Sequence, residues 1–195
     1  MFTGIIQSVQ KGEFIDGVLK VKRCWEDLEI GESIAINGVC LTLRKFDDEW
    51  MYFDVGLETL SKTNLSTCSI FNLERALKIG DSLSGHYVTG HVDGMIRFIS
   101  KVSKGNTVYM KFSMPPERWA VVRKGSIALN GISLTIANVD LDSFTVQIIP
   151  HTLENTNLKF LRLGDTVNYE IDMLARYVEG ILSQKKKELI ERWEF

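Results

Sequence analysis

The chain writes one short phrase twice. "SIAINGVCLT" occupies Ser33–Thr42 and "SIALNGISLT" occupies Ser126–Thr135. Aligned without a gap, Ser33–Leu65 and Ser126–Leu158 are identical at 13 of 33 positions. Within that window "ETLSKTNL" at Glu58–Leu65 meets "HTLENTNL" at His151–Leu158. Further on, "FNLE" at Phe71–Glu74 meets "VNYE" at Val167–Glu170, after the first copy loses about three residues of loop, expected to trim a surface turn. "FTGII" at Phe2–Ile6 resembles "VTGHV" at Val88–Val92. Repetition over so long a period marks two homologous units, each of a size that can hold its own core. The boundary is expected near Ala76–Gly85, giving units at 1–84 and 85–172.

Within each copy the pattern has period two. "SIAINGVCLTLRKF", "WMYFDVGL", "TVYMKFSM" and "SFTVQIIP" alternate apolar and polar residues and are rich in β-branched and aromatic side chains. "NG", "KGNT" and "DLDS" supply turn chemistry between them. Short strands at such spacing predict a small antiparallel barrel per copy, hence an all-β chain of two tandem barrels. The tail departs from this pattern. Leu174, Tyr177, Val178, Ile181 and Leu182 recur at the spacing of an amphipathic helix, and Leu189, Ile190 and Trp193 extend the stripe. The helix over 173–195 packs either on its own barrel or on its copies in other subunits. The second is favoured, because two closed barrels leave it little surface to cover. A membrane-surface helix ranks third, since its basic cluster is short and has acidic neighbours.

Charge and cysteine content narrow the function. With 23 Lys+Arg against 25 Asp+Glu the net charge is −2, which gives no basic face for nucleic acid. No apolar run reaches the roughly 20 residues of a membrane span. "MFTGIIQSVQ" lacks the basic flank and apolar core of a signal peptide, so a cytoplasmic setting is expected. Cys24, Cys40 and Cys68 are read as free thiols, and no His/Cys spacing suggests a metal site.

"MFTGI" at the start, "NGVCLT" at Asn37–Thr42, "GHYVTGHVDG" at Gly85–Gly94 and "LNGISLT" at Leu129–Thr135 together resemble the riboflavin synthase family (alpha chain), over nearly the whole chain. The resemblance implies two six-stranded antiparallel Greek-key barrels plus a C-terminal helix, a homotrimer through that helix, and association with lumazine synthase. It implies a dismutation of two 6,7-dimethyl-8-ribityllumazine molecules with no cofactor and no metal. One molecule donates a four-carbon unit to the other, giving riboflavin and a pyrimidinedione. A duplicated domain suits a reaction between two copies of one molecule, since it offers two similar pockets.

The resemblance also assigns residues. His91 matches the pocket histidine and is the first candidate for proton transfer, because histidine titrates near working pH. His86 is read as structural. Cys40 matches a pocket cysteine whose role as nucleophile, base or contact stays open, and Ser133 holds its place in the second copy. Thr42 and Thr135 lie two residues on and share their strand face, so hydroxyls near Leu41 and Leu134 are expected to hold the pteridine edge. Phe2 with Gly4, Ile5 and Ile6, and Gly90 with His91 and Val92, should offer backbone groups to the pyrimidine ring. Asp54, Val55, Gly56, Leu57, Glu58 and Thr59, and in the second copy Ile148, Ile149, Pro150, His151, Thr152 and Leu153, match segments that should hold the ribityl chains. Ser33, Lys124 and Asp172 match positions near the site. Two residues depart from the family pattern: Asn130 replaces an acidic residue of some members, and His151 replaces glutamate. Two rival readings remain, a lumazine-carrying antenna protein of the same fold and an oligonucleotide-binding barrel.

Overall fold

The computed structural model describes residues 1–193, the side chains of 187–193 excepted. The first copy contributes β1 (Ser8–Ile15), β2 (Val18–Lys22), β3 (Ser33–Ile36), β4 (Val39–Phe46), β5 (Trp50–Asp54), α1 (Leu57–Lys62) and β6 (Ile70–Arg75). The second repeats the order with β7 (Gly94–Lys104), β8 (Thr107–Ser113), β9 (Ser126–Leu129), β10 (Ile132–Val139), β11 (Ser143–Ile148), α2 (Pro150–Glu154) and β12 (Thr166–Ile171). Each set closes into a six-stranded antiparallel barrel, in the cyclic order β1-β2-β5-β4-β3-β6 and its equivalent. β6 returns from α1 to lie beside β3, so β6-β3-β4-β5 form a Greek key. A 21-residue helix, α3 (Met173–Trp193), follows.

The alternation seen in sequence becomes the inside and outside of each barrel. Along β4, Val39, Leu41 and Leu43 are buried while Thr42 and Arg44 are exposed. Leu19, Ile34, Met51, Phe53, Phe71 and Leu73 complete the first core. Met110, Phe112, Ile127, Phe144, Val146 and Val167 fill the second. Both long strands carry a bulge at the same place, after Leu43 and after Ile136. The repeat therefore extends to irregularities that periodicity could not show.

The β3–β4 and β9–β10 hairpins turn on Asn37-Gly38 and Asn130-Gly131. All four residues have positive φ, between 45° and 81°, as a two-residue hairpin turn of the primed type requires. The two turns abut. A Cβ on Gly38 would lie 2.7 Å from the Gly131 amide nitrogen. Around this contact six asparagines are buried: Asn37, Asn64 and Asn72 from the first copy, Asn130, Asn157 and Asn168 from the second. Their bonds come in symmetric pairs. Asn64 Nδ2 donates to Asn130 Oδ1 and Asn157 Nδ2 to Asn37 Oδ1. Asn72 Nδ2 donates to the Asn130 carbonyl and Asn168 Nδ2 to the Asn37 carbonyl, each at 2.9 Å. The barrels are thus joined by amide hydrogen bonds across a local two-fold. Asn130 is one of the six and matches Asn37 of the first copy.

No helix among the described residues is long and apolar enough to cross a membrane. On α3, Leu174, Tyr177, Val178, Ile181 and Leu182 are all exposed on the single chain. Leu189, Ile190 and Trp193 lie outside the described side chains.

Substituting Asn72→Leu removes two donated bonds and one accepted bond at once, and leaves the Asn157 amide without its buried acceptor. The expected loss is about 2–4 kcal/mol of unfolding free energy, read from the urea midpoint.

Candidate functional site

Strand β4 pairs with β3 through Val39–Thr42 but with β5 only from Leu43 onward. The far edge of its first half is left without a strand partner. The arm that fills this gap belongs to the other copy. The Cys40 amide donates to the Gly90 carbonyl at 2.9 Å. The mirror contact has the Ser133 amide donating to the Gly4 carbonyl at 2.8 Å. Residues 2–6 therefore dock on the second barrel, and residues 88–92 on the first. The arms meet each other in an antiparallel bridge between Phe2 and Val88. This crossing was not readable from the sequence, in which each arm precedes its own barrel.

The arms must run against backbone, which explains their glycines. Gly4 and Gly90 have φ of 78° and 81°, and a Cβ at either would come within 2.5 Å of Ser133 or Cys40. A buried glutamate clasps each arm. Glu74 accepts from Thr3 N (2.6 Å), Thr3 Oγ1 (2.8 Å) and Gly4 N (3.0 Å). Glu170 accepts from Thr89 N (2.7 Å), Thr89 Oγ1 (2.8 Å) and Gly90 N (2.9 Å). Burial pushes both carboxyls up, and the N–H and O–H donors oppose that push. Sequence reasoning passed over these glutamates. The signal was present in the repeated Thr-Gly of each arm and the final Glu of "FNLE" and "VNYE".

At the first barrel the arm roofs a cavity of about 550 Å³. Its lining brings together Cys40, Glu58, Thr59, Gly90, His91 and Val92 of the expected residues. It adds Thr63, Thr89, Asp93, Glu170 and Arg176, which were not expected. Cys40 is half-buried and His91 exposed. Glu58 and Thr59 stand on α1. Lys62, one turn on, pairs with Glu58 at 2.8 Å and holds its carboxyl below the usual range. Asp93 anchors the start of α3: its Oδ1 accepts from Arg176 at 2.6 Å and its Oδ2 from the Ile171 amide.

The mirror site at the second barrel divides into two clefts of about 330 and 340 Å³ that share Gln7. Ile6 and His151 line one, Ile5 the other. Thr152 on α2 sits where Thr59 sits on α1. The two sites differ at several equivalent positions. Those that match Cys40 and His91 are Ser133 and Ile5; Ile5 lines one cleft, and Ser133 lies half-buried on β10 outside the lining of both.

The remaining expected residues lie elsewhere. Phe2 is fully buried between the barrels with Ala35, Val88 and Ala128. Leu41, Leu134, Val55 and Ile148 point into the barrel cores, and Leu153 packs on one. Thr42 and Thr135 are exposed on the outer face of their strands, opposite Ser33 and Ser126. Asp54 is exposed and paired with Arg44 at 2.6 Å. Gly56 precedes α1 and Ile149 precedes α2; Pro150 opens α2, and Leu57 is exposed. Asp172 Oδ1 accepts from the Leu174 amide at 2.9 Å, an N-terminal cap for α3. Lys124 is exposed at φ 70°, in the turn where the first copy has Gly31 at φ 94°. A lysine in left-handed backbone is strained by about 1–2 kcal/mol, and such strain collects at functional positions.

Two barrels, each completed by the other's arm, define a duplicated lumazine binding domain, and the family of that description matches residues 3–76 and 89–172. The chain belongs to the riboflavin synthase family. It is 38% identical to the riboflavin synthase of Actinobacillus pleuropneumoniae, over 95% of this chain and 91% of that one. It is 38% identical to that of Bacillus subtilis (92% and 86% covered) and 39% to that of Chlamydia pneumoniae (96% and 100%). Among solved structures, LumP complexed with riboflavin superposes with a TM-score of 0.78 at 22% identity, covering 88% of this chain and 99% of that one. LumP complexed with 6,7-dimethyl-8-(1'-D-ribityl) lumazine gives 0.75 at 23%, over 87% and 98%. These likenesses share the double-barrel fold.

Two variants separate stability from site geometry. Lys124→Gly is expected to raise unfolding free energy by about 1 kcal/mol by relieving the positive φ, while lowering ligand affinity or turnover if the ammonium serves the site. Glu170→Ala strips three donors of their buried acceptor and is expected to destabilise by about 3 kcal/mol, with loss of ligand binding as the Thr89–His91 arm lifts. Urea melts and ligand titrations read both.

Proposed function

We propose that this chain is a riboflavin synthase. It binds two molecules of 6,7-dimethyl-8-ribityllumazine, moves a four-carbon unit from one to the other, and releases riboflavin and 5-amino-6-ribitylaminopyrimidinedione. The observation that carries this reading is the duplicated but unequal site: a pocket at the first barrel walled by both copies, and its counterpart at the second, where Ile6–Val9 of the first copy meet His151, Glu154 and Asn155 of the second. A reaction between identical molecules needs two cradles of similar shape and different chemistry. Cys40 with His91 at the first, and their counterparts Ser133 and Ile5 in the second copy, supply that difference.

The chemistry asks little of the protein beyond positioning and proton transfer. Holding two heteroaromatic rings together makes a bimolecular step effectively unimolecular, worth up to about 7–11 kcal/mol. One lumazine loses a proton from its C7 methyl group, and the carbanion is delocalised into an electron-poor ring. His91 sits exposed on its arm at the mouth of the first pocket, where it can take or return that proton. Cys40 lies on the pocket wall as contact, base or nucleophile. The hydroxyls of the half-buried Thr59, next to Glu58, and of Thr152, with the Glu58 carboxylate and His151, suit a polyhydroxylated chain.

In the assembly we infer, three chains associate through α3, and the first pocket of one subunit faces the second pocket of the next. Five apolar side chains exposed along one helix support this, since a lone chain leaves them in water. In this reading the enzyme needs no cofactor or metal and works in the cytoplasm, in association with lumazine synthase.

Incubating the protein with the lumazine alone is expected to yield riboflavin absorbance and fluorescence; tight binding with no product would favour a carrier instead. His91→Gln is expected to lower kcat about a hundredfold while lumazine affinity changes less than about threefold. Removing Met173–Phe195 is expected to give monomers with little turnover by sedimentation and assay, and an active monomer would overturn the shared-site arrangement.

A further inference from the structure

The decapeptide "GHYVTGHVDG" carries two histidines, and the structure sends them to different surroundings. His91 stands at the first pocket. His86 is buried beside Ser133, the second copy's counterpart of the pocket residue Cys40. Its backbone amide donates to the Thr3 carbonyl at 3.1 Å, and its Nδ1 is 2.7 Å from Ser133 Oγ. Ser133 is the residue that replaces Cys40. His86 is only 9% exposed, and its Nε2 is buried without a hydrogen-bond partner among the described residues.

An orphaned buried nitrogen constrains the proton. Burial holds the His86 imidazole below its ordinary titration range, against the pull of Asp172, so the ring is neutral and has one N–H to place. With the proton on Nε2, a buried donor would go unpaired. With it on Nδ1, the N–H donates to Ser133 Oγ, and only an acceptor lone pair is left bare. Buried unpaired donors are the rarer and less tolerated of the two. The second arrangement also settles Ser133. A hydroxyl has one proton and two acceptor sites. Once its oxygen accepts from His86, its own proton is free to point away from the histidine.

We propose that His86 is the positioning residue of the second pocket: its Nδ1–H donates to Ser133 Oγ and commits the Ser133 hydroxyl as a donor to an acceptor atom, a carbonyl oxygen or bare ring nitrogen, on the heteroaromatic ligand. The ligand part of this rests on the riboflavin synthase reading; the tautomer does not. The second pocket then offers a fixed neutral donor where the first offers a thiol and an exposed imidazole. The two pockets thereby hold the same ring in different electronic states.

The tautomer is read first, on the whole unliganded protein, from long-range proton–nitrogen correlations of the histidine rings, with His86→Asn identifying the His86 signals. The Nδ1–H form is expected, and the Nε2–H form overturns the proposal. Binding of 6,7-dimethyl-8-ribityllumazine is then titrated in four variants, with thermal midpoints recorded for each. His86→Leu is expected to weaken one of the two binding events about tenfold. His86→Asn, whose amide nitrogen can occupy the place of Nδ1, is expected to stay within about threefold of the parent. In a Ser133→Ala background, adding His86→Leu should change affinity no further. Equal losses in the Asn and Leu variants, or additive losses with Ser133→Ala, overturn the positioning role. If His86→Leu fails to fold, the Asn variant, Ser133→Ala and the tautomer still decide it. A parent protein that binds lumazine without converting it would sink the catalytic reading and leave these results intact.

Discussion

The molecule depends on two Asn-Gly turns meeting back to back. Because Gly38 and Gly131 have no side chains, the hairpin tips touch at backbone distance, and the six asparagines can satisfy one another across the join. Each amide there either bonds to the other copy or to a group that does. At buried positions an unpaired amide is costly, so the network restricts the relative placement of the barrels. The arms exploit that placement. They span a fixed distance from one barrel to the free edge of the other, and a small rotation would pull Gly4 from Ser133 and Gly90 from Cys40 together.

The site follows from a defect in each barrel. A sheet that closed perfectly would have no free edge on β4 and no seat for an arm. The bulge after Leu43, and its twin after Ile136, lie where β4 and β10 pass from one neighbour to the other. Edge groups that would otherwise be exposed are covered by a crossing chain, with a buried glutamate at each crossing. The pocket is the remaining space between arm, helix and strand. Both its polar lining and its asymmetry arise from residues near these irregularities, not from the cores.

Much of this was legible in the residues. Period-two alternation gave the strands, the Asn-Gly pairs gave the hairpin turns, and the repeat gave two barrels. The helix stripe at Leu174–Leu182 was equally plain. What the sequence hid was exchange. Nothing in "FTGII" says that it seats on the distant copy, because strand-edge pairing through backbone groups leaves no mark on side-chain pattern. The short helices α1 and α2 were also missed: six and five residues are too few to show a helical period. Site residues separated along the same line. Cys40, Glu58, Thr59 and His91 could be placed in one pocket. Leu41, Leu134 and Val55, flanking residues in the same motifs, face the cores instead, as alternation demands. His86 was read as structural, and its contact with Ser133 became visible only when the fold brought residues 47 positions apart to 2.7 Å.

The crossed arms also set an order of events in time. Residues 2–6 leave the ribosome first, yet the strand that receives them is among the last to be made, with Ser133 more than a hundred residues behind. At a synthesis rate of about 5–20 residues per second, the first arm must wait several seconds for its seat, with the Glu74 clasp among the contacts by which its own copy holds it. The second arm meets a barrel already complete. Two halves that look interchangeable in the finished molecule are therefore assembled under opposite conditions, one by waiting and one by arriving.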